Sequence, residues 1–293
     1  MVSAAENENM MLQKLRRVWQ RTGFGTRISA GVLSPADWRA ERAYWQPKLF
    51  GYYRDQLGLT PHPLQSAEVL VPPTDLATRI QNTSKATPDA FFGTGYRQAW
   101  LYLQELQLLD IDPRQLKGVL EFGVGFGRLL IQYLPLGVPL AGCDVTPEVI
   151  EWANRGLSPV ADLRVTTPSP PLPYNDGQFG FVYANSVFTH IPLSDQLTWA
   201  RELTRITTTG GAIIASYLDA NCYLNQLTFR EFYDQWEGTS GFEADRDRGV
   251  QMTTYLSDAA LHAHWSQVGE VVAIRHHFRE QKHVVVRRLA DNC

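Results

Sequence analysis

The sequence predicts an α/β fold built on a doubly wound, mostly parallel sheet. Three observations carry that expectation. From about residue 90 short apolar runs alternate with helical patterns, which is the signature of βαβ units. One of those runs, Val119–Phe122, feeds directly into a loop with three alternating glycines, Gly123, Gly125 and Gly127. The last two runs, near residues 271–278 and 283–288, are arranged as an antiparallel pair. The chain has 293 residues, 44% of them hydrophobic and 19% charged. That suffices for a sizeable core and rules out global disorder.

The elements follow in order. Met11, Leu12, Leu15, Val18 and Trp19 have helical spacing, and Ser34-Pro35 reads as a cap and first-turn proline for a second helix. Residues 60–74 hold four prolines and read as a connector. Residues 119–122 form the first core strand, and 127–134 a helix stopped by Pro135. Residues 140–143 form a second strand, and a helix runs from Thr146-Pro147 to about Asn154. Strands are expected at 163–166 and 179–184, and Ser194-Asp195 caps a helix to about Ile206. The turn Thr209-Gly210-Gly211 delivers a strand at 212–217. A helix capped by Ser257 and the final strand pair, 271–278 and 283–288, complete a set of seven strands.

The charge is unevenly spread. Residues 10–60 carry nine basic and three acidic side chains, a net +6, within a chain of net charge −3. The same segment concentrates Trp38, Tyr44, Trp45, Phe50, Tyr52 and Tyr53. We therefore expect two domains, an aromatic-rich helical cap or lid at 1–88 and a core at 89–293. An amphipathic helical pair packed on the core explains the same composition. As a lid over a cleft, it would put Tyr44 and Trp45 against a bound ligand.

Composition excludes several classes. No run approaches the ~18 apolar residues of a membrane span, and the first residues lack the basic and apolar regions of a secretory signal. Three scattered cysteines argue against a disulfide framework and for a cytoplasmic location. A sequence pI of about 6.2 gives no footprint for nucleic acid. None of the seven histidines has metal-ligand spacing.

The glycine loop is the informative site. Its glycines allow a tight turn and close approach of the backbone to a ligand. A dinucleotide site would require glycine at 128, where the residue is Arg128, and no phosphate-cradling G-x-x-x-x-G-K-[ST] occurs. Glu121, just before the glycines, would repel a phosphate and suits a cationic, amino-bearing ligand. Asp144 ends the second strand, 23 residues after Glu121. There it can grip ribose hydroxyls, or cap the helix that Thr146-Pro147 opens.

The run Val119–Arg128 resembles motif I of class I S-adenosylmethionine (SAM)-dependent methyltransferases. Further segments match in order: Asp144, the loop Leu172–Phe179, the segment Val182–His190, and Arg201–Ile206 followed by Gly210-Gly211. The resemblance covers residues 90–290. It implies a Rossmann-like, seven-stranded, mostly parallel sheet with the last strand antiparallel, and SAM as cofactor with S-adenosylhomocysteine (SAH) as product. It assigns cofactor contacts to Glu121, Gly123, Gly125, Gly127, Asp144, Val145, Asn185 and Ser186, and the methionine carboxylate to Arg97, which as a solvated arginine would have no such role. Gly180 stands where relatives often have Asp, and 166–171 lacks the acid that relatives place near adenine.

The implied reaction is methyl transfer to a small-molecule or glycan oxygen or nitrogen. His190 is the candidate base, or else a histidine that fixes its loop. Tyr217 and Asp219 are further acceptor contacts. Asn185-Ser-Val-Phe188 lacks the prolines of an N-P-P-[FY] run, which counts against an adenine or cytosine amino acceptor. A nicotinamide oxidoreductase, an aminopropyl transferase and a non-catalytic SAM-binding protein are the alternatives. Oligomeric state is not legible.

Overall fold

The structure is a computed structural model. It describes residues 34–67, 70–80, 87–218, 241–245, 252–276 and 281–290. The expected helix around Met11–Trp19 and the residue Asp219 lie outside them. Residues 34–293 form one compact unit.

The described chain begins with α1 (Pro35–Gly51). Ser34 Oγ accepts the Asp37 N–H while Asp37 reaches back to the Ser34 N–H, closing a capping box. A π-turn at Tyr52–Gln56 follows, and then a 3₁₀ turn at Pro63–Ser66. The connector ends in α2 (Thr74–Ile80). The long α3 (Pro88–Leu108) packs against α1.

The sheet then assembles from β1 (Val119–Phe122), β2 (Leu140–Asp144), β3 (Asp162–Val165), β4 (Phe179–Ala184), β5 (Thr207–Tyr217), β8 (Glu270–Arg275) and β9 (Lys282–Arg287). Its order is β3-β2-β1-β4-β5-β9-β8. The first five strands pair in parallel, and β9 is antiparallel to both β5 and β8. This is the sheet that the sequence predicts.

Strands β1 and β4 are buried along their whole length, so both faces are covered and the sequences read as apolar runs. The period of two divides them. Val119, Phe181, Tyr183, Ile214 and Val285 face a core shared with α1, α3 and α4 (Pro147–Leu157). Leu120, Phe122, Val182, Ala184, Ile213 and Val284 face α5 (Leu193–Ile206) and α6 (Asp258–Trp265).

Several local expectations are corrected. The glycine loop does not open an α-helix at 127. The chain makes a 3₁₀ helix at Leu130–Leu136, with Pro135 inside it and Gly137 (φ 69°) ending it. The reason is that all three loop glycines are left-handed, which postpones helical geometry past Arg128. Ser194 does not cap α5. The cap position is Pro192, and Ser194 Oγ bonds to its neighbour Asp195 instead. Thr146 stands at the cap of α4 without a side-chain cap bond, and that helix runs on to Leu157. Gly210 and Gly211 lie within β5, whose pairing with β4 shifts register there. An antiparallel pair absent from the sequence reading, β6 (Gly241–Asp245) with β7 (Met252–Leu256), forms a separate small sheet.

Candidate active site

The strand order reverses between β1 and β4, the place where open α/β sheets bind ligands. The glycine loop leaves β1 there, beside Asn185 and Ser186 after β4. Gly123, Gly125 and Gly127 have φ of 76°, 52° and 77°. Side chains rarely adopt these values, so glycine is required at each. At two of them a side chain would also displace a neighbour. A Cβ on Gly123 would lie 2.3 Å from Val187 Cγ2, and one on Gly127 2.4 Å from Leu157 Cδ1.

The loop is tied to β2. The Gly123 and Val124 N–H groups donate to the Cys143 carbonyl at 2.8 and 2.9 Å. Asp144 is divided between two backbone donors: Oδ2 accepts from Gly125 N and Oδ1 from Thr146 N, each at 3.0 Å. One carboxylate therefore orders both the loop and the start of α4. Val145 and Val165 are exposed at the same edge, and Val165 pairs with Asp144 in register.

Glu121 lies deeper than the sequence suggests. It is 4% exposed and accepts the Tyr183 hydroxyl at 3.1 Å. Burial pushes its carboxyl up to about 8 despite the opposing charge of Arg128. Arg128 donates through Nη1 to Thr94 Oγ1 of α3. That contact exists because α3 comes close: a Cβ on Gly95 would lie 2.5 Å from the Arg128 carbonyl oxygen.

A cavity of about 230 Å³ opens between α1, α3, the glycine loop and the ends of β4, β5 and β9. Arg97, Asn185 and Ser186 line it. Arg97 also makes a 3.4 Å ion pair with Glu41 of α1. Asn185 Oδ1 accepts the Tyr102 hydroxyl at 3.4 Å. Trp38, Arg128, Ser216, Gln281 and His283 line the cavity too. They carry no motif-like spacing, because three of them reach it from sheet strands or strand ends far apart in sequence.

Other candidates lie elsewhere. His190 is the exposed last residue of the turn Phe188–His190, whose other two residues are buried, and is not among the lining residues. Tyr217 is a core residue: 1% exposed, its hydroxyl accepts Trp265 Nε1–H at 3.0 Å, because β5 points it to the α6 face. Tyr44 is 57% exposed. Trp45 packs on Trp100, with Lys48 Nζ over both Tyr44 and Trp45 rings at 4.8 and 5.7 Å. Neither lines the cavity. His283 does: it is buried, 3.5 Å from Glu105 Oε1 through Nε2. No His/Cys/Asp/Glu cluster fit for a metal occurs among the described residues.

Comparison with known proteins agrees with this geometry. Residues 120–215 match a family model described as a methyltransferase domain. Two solved structures share the fold. A SAM-dependent methyltransferase from Methanosarcina mazei is 16% identical, with a TM-score of 0.50 over 59% of this chain and 93% of its own. A protein from Pyrococcus horikoshii OT3 is 12% identical, with a TM-score of 0.50 over 66% and 91%. Residues 120–215 thus carry a methyltransferase domain, and the glycine loop and sheet order are those of the class I methyltransferase fold. The chain is an enzyme; its cofactor is SAM and the product formed from it SAH.

Proposed function

We propose that this enzyme methylates an oxygen or nitrogen of a small molecule or glycan. The observation that carries this reading is the cavity. It is about 230 Å³, lies between α1 and the carboxyl edge of the sheet, and meets the glycine loop at Arg128 and Leu129. A site of that size takes a small acceptor or one sugar-sized group.

The chain's residues would divide the work. The glycine loop would hold the cofactor through its backbone, with Asp144 on the ribose and Val145 and Val165 against the purine. Arg97 and Arg128 are the cationic groups for the methionine carboxylate. When bound, SAM supplies an electrophilic sulfonium methyl. The protein's own task is to hold the acceptor in line and exclude water. In this reading α1 forms part of a lid, with Trp38 on the cavity wall.

The test is incubation of the protein with SAM and a metabolite extract. SAH release together with a product heavier by one CH₂ supports the proposal. SAM binding without turnover on any fraction would leave a binding module instead, and the proposal would fall.

A further inference from the structure

Glu41 of α1 and Arg97 of α3 form an ion pair, Oε2 to Nη1, at 3.4 Å. The same Glu41 oxygen accepts the Trp45 Nε1–H at 2.9 Å. Arg97 lines the cavity beside Arg128, and the two guanidinium charges are near enough to repel each other. Glu121, on β1, attracts Arg128 in turn. The ionisable groups therefore run Glu41, Arg97, Arg128, Glu121, from α1 to the strand before the glycine loop. Burial pushes the Glu121 carboxyl up to about 8, so near neutral pH the full negative charge on this row belongs to Glu41.

A ligand carboxylate that takes Arg97 must contend with that charge. A guanidinium holds a carboxylate best through two parallel N–H bonds, and Nη1 of Arg97 already faces Glu41. A second carboxylate on the same group would stand beside the first, and like charges that close repel. Glu41 is placed to give way. Its contact with Arg97 is long for an N–H···O bond, and its side chain is 23% exposed. The Trp45 N–H can stay on Oε2 when Arg97 leaves. Nor does α1 need Glu41 in order to stay docked. Arg42 pairs with Asp89 at 3.2 Å and lies over the Phe92 ring at 5.2 Å. The helices approach so closely that a Cβ on Gly93 would lie 3.1 Å from Arg42 N. The exchange is thus local: a guanidinium changes partner while the helix keeps its place.

We propose that Glu41 is a built-in competitor for the cofactor, its carboxylate occupying Arg97 and giving way to the methionine carboxylate of SAM or SAH. The same exchange gives Arg97 a partner again as SAH departs. The proposal rests on the methyltransferase reading and its use of Arg97, and the test separates the two.

Calorimetry measures SAH and decarboxylated SAH, which lacks only the carboxylate, on the wild type, Glu41→Gln, Arg97→Gln and the double variant. Each protein is checked for a native circular dichroism spectrum. Glutamine at 41 keeps an oxygen for the Trp45 N–H. Glu41→Gln should bind SAH about fivefold more tightly, the size of a partly exposed ion pair, and decarboxylated SAH as the wild type does. Arg97→Gln should weaken SAH by at least about tenfold. The double variant should match Arg97→Gln alone, because Glu41 acts through Arg97. In the wild type, the Trp45 indole N–H resonance, assigned with Trp45→Phe, should move on saturation with SAH and hold still with decarboxylated SAH. Movement with both ligands or with neither would overturn the proposal. So would Glu41→Gln that binds SAH no better than the wild type, since Glu41 would then only position Arg97. An equal gain for decarboxylated SAH, or a gain that persists in the double variant, would reduce Glu41 to a distant repelling charge and overturn it too. SAH binding that Arg97→Gln leaves unchanged would remove Arg97 from the cofactor and this proposal with it, while the methyltransferase reading stands. Failure of the wild type to bind SAH would overturn that reading itself.

Discussion

Asp144 Oδ2 accepts the backbone N–H of Gly125 at 3.0 Å, across the gap between two neighbouring parallel strands. The bond joins the acid at the end of β2 to the middle glycine of the loop after β1. It makes the shape of the glycine loop depend on one side chain of the neighbouring strand.

Asp144→Ala should therefore weaken SAM more than the loss of one ligand contact. Hydrogen bonds to a charged group contribute about 1.5–3 kcal/mol, so Kd should rise on the order of 10–100-fold, with a further loss from the loosened loop. Asp144→Asn keeps one acceptor oxygen and should fall between. Calorimetry with SAM on the three proteins checks the order.

Gly123→Ala should cost more stability than Gly137→Ala. Both glycines are left-handed, at 76° and 69°, so both alanines bear a backbone cost of about 1–2 kcal/mol. At Gly137 nothing lies within 4 Å of the added carbon, whereas at Gly123 Val187 stands in the way. Urea midpoints should rank wild type, Gly137→Ala, Gly123→Ala. Equal losses would show that the loop gives way around Val187 freely.

Glu121 should make stability fall as pH rises. Its folded pKa is raised from 4.5 to about 8 by burial. The folded state then holds its proton more tightly than the unfolded chain does. This contribution is full below about 4.5 and is lost as pH climbs through about 8. Glu121→Gln keeps an oxygen for the Tyr183 hydroxyl and has no proton to lose. Denaturation curves from pH 5 to 9 should be flatter for the variant than for the wild type.

Tyr217→Phe should destabilise without touching the cofactor site. It leaves Trp265 Nε1–H buried with no acceptor, at a cost of about 1–3 kcal/mol. SAM affinity should be unchanged. A loss of SAM affinity in folded protein would return Tyr217 to the site.

His190→Ala should slow turnover by less than about tenfold, below the roughly 10²–10⁴-fold expected of a general base. The ring is exposed at the end of a short turn and away from the cavity wall. A larger loss, with SAM binding intact, would restore it as the base.

The glycine loop was legible in the sequence because its cause is local. Left-handed backbone strongly favours glycine, so a run of three such residues appears in the string itself as the pattern 123-125-127. The misjudged helix at 127 has the same origin: apolar spacing shows that residues 129–136 are buried, but not that the turn before them leaves no room for an α-helical start. Ser194 looked like a cap by residue type, yet the chain enters α5 through Pro192.

By itself, the sequence determined the strand–helix alternation, the glycine loop, the acid at Asp144 and the cap at Ser34, because each depends on neighbours within a few positions. Only the tertiary structure decided which polar side chains meet in the cavity. Trp38, Arg128, Ser216, Gln281 and His283 come together because the sheet places β5 beside β9 and α3 lies close on the loop through Gly95. It also decided that Tyr217 belongs to the core, since the side of the sheet on which a residue falls is fixed by strand register. Pairing and close approach between distant segments leave no periodic trace in one chain, which is why the glycine loop could be read in advance and the cavity wall could not.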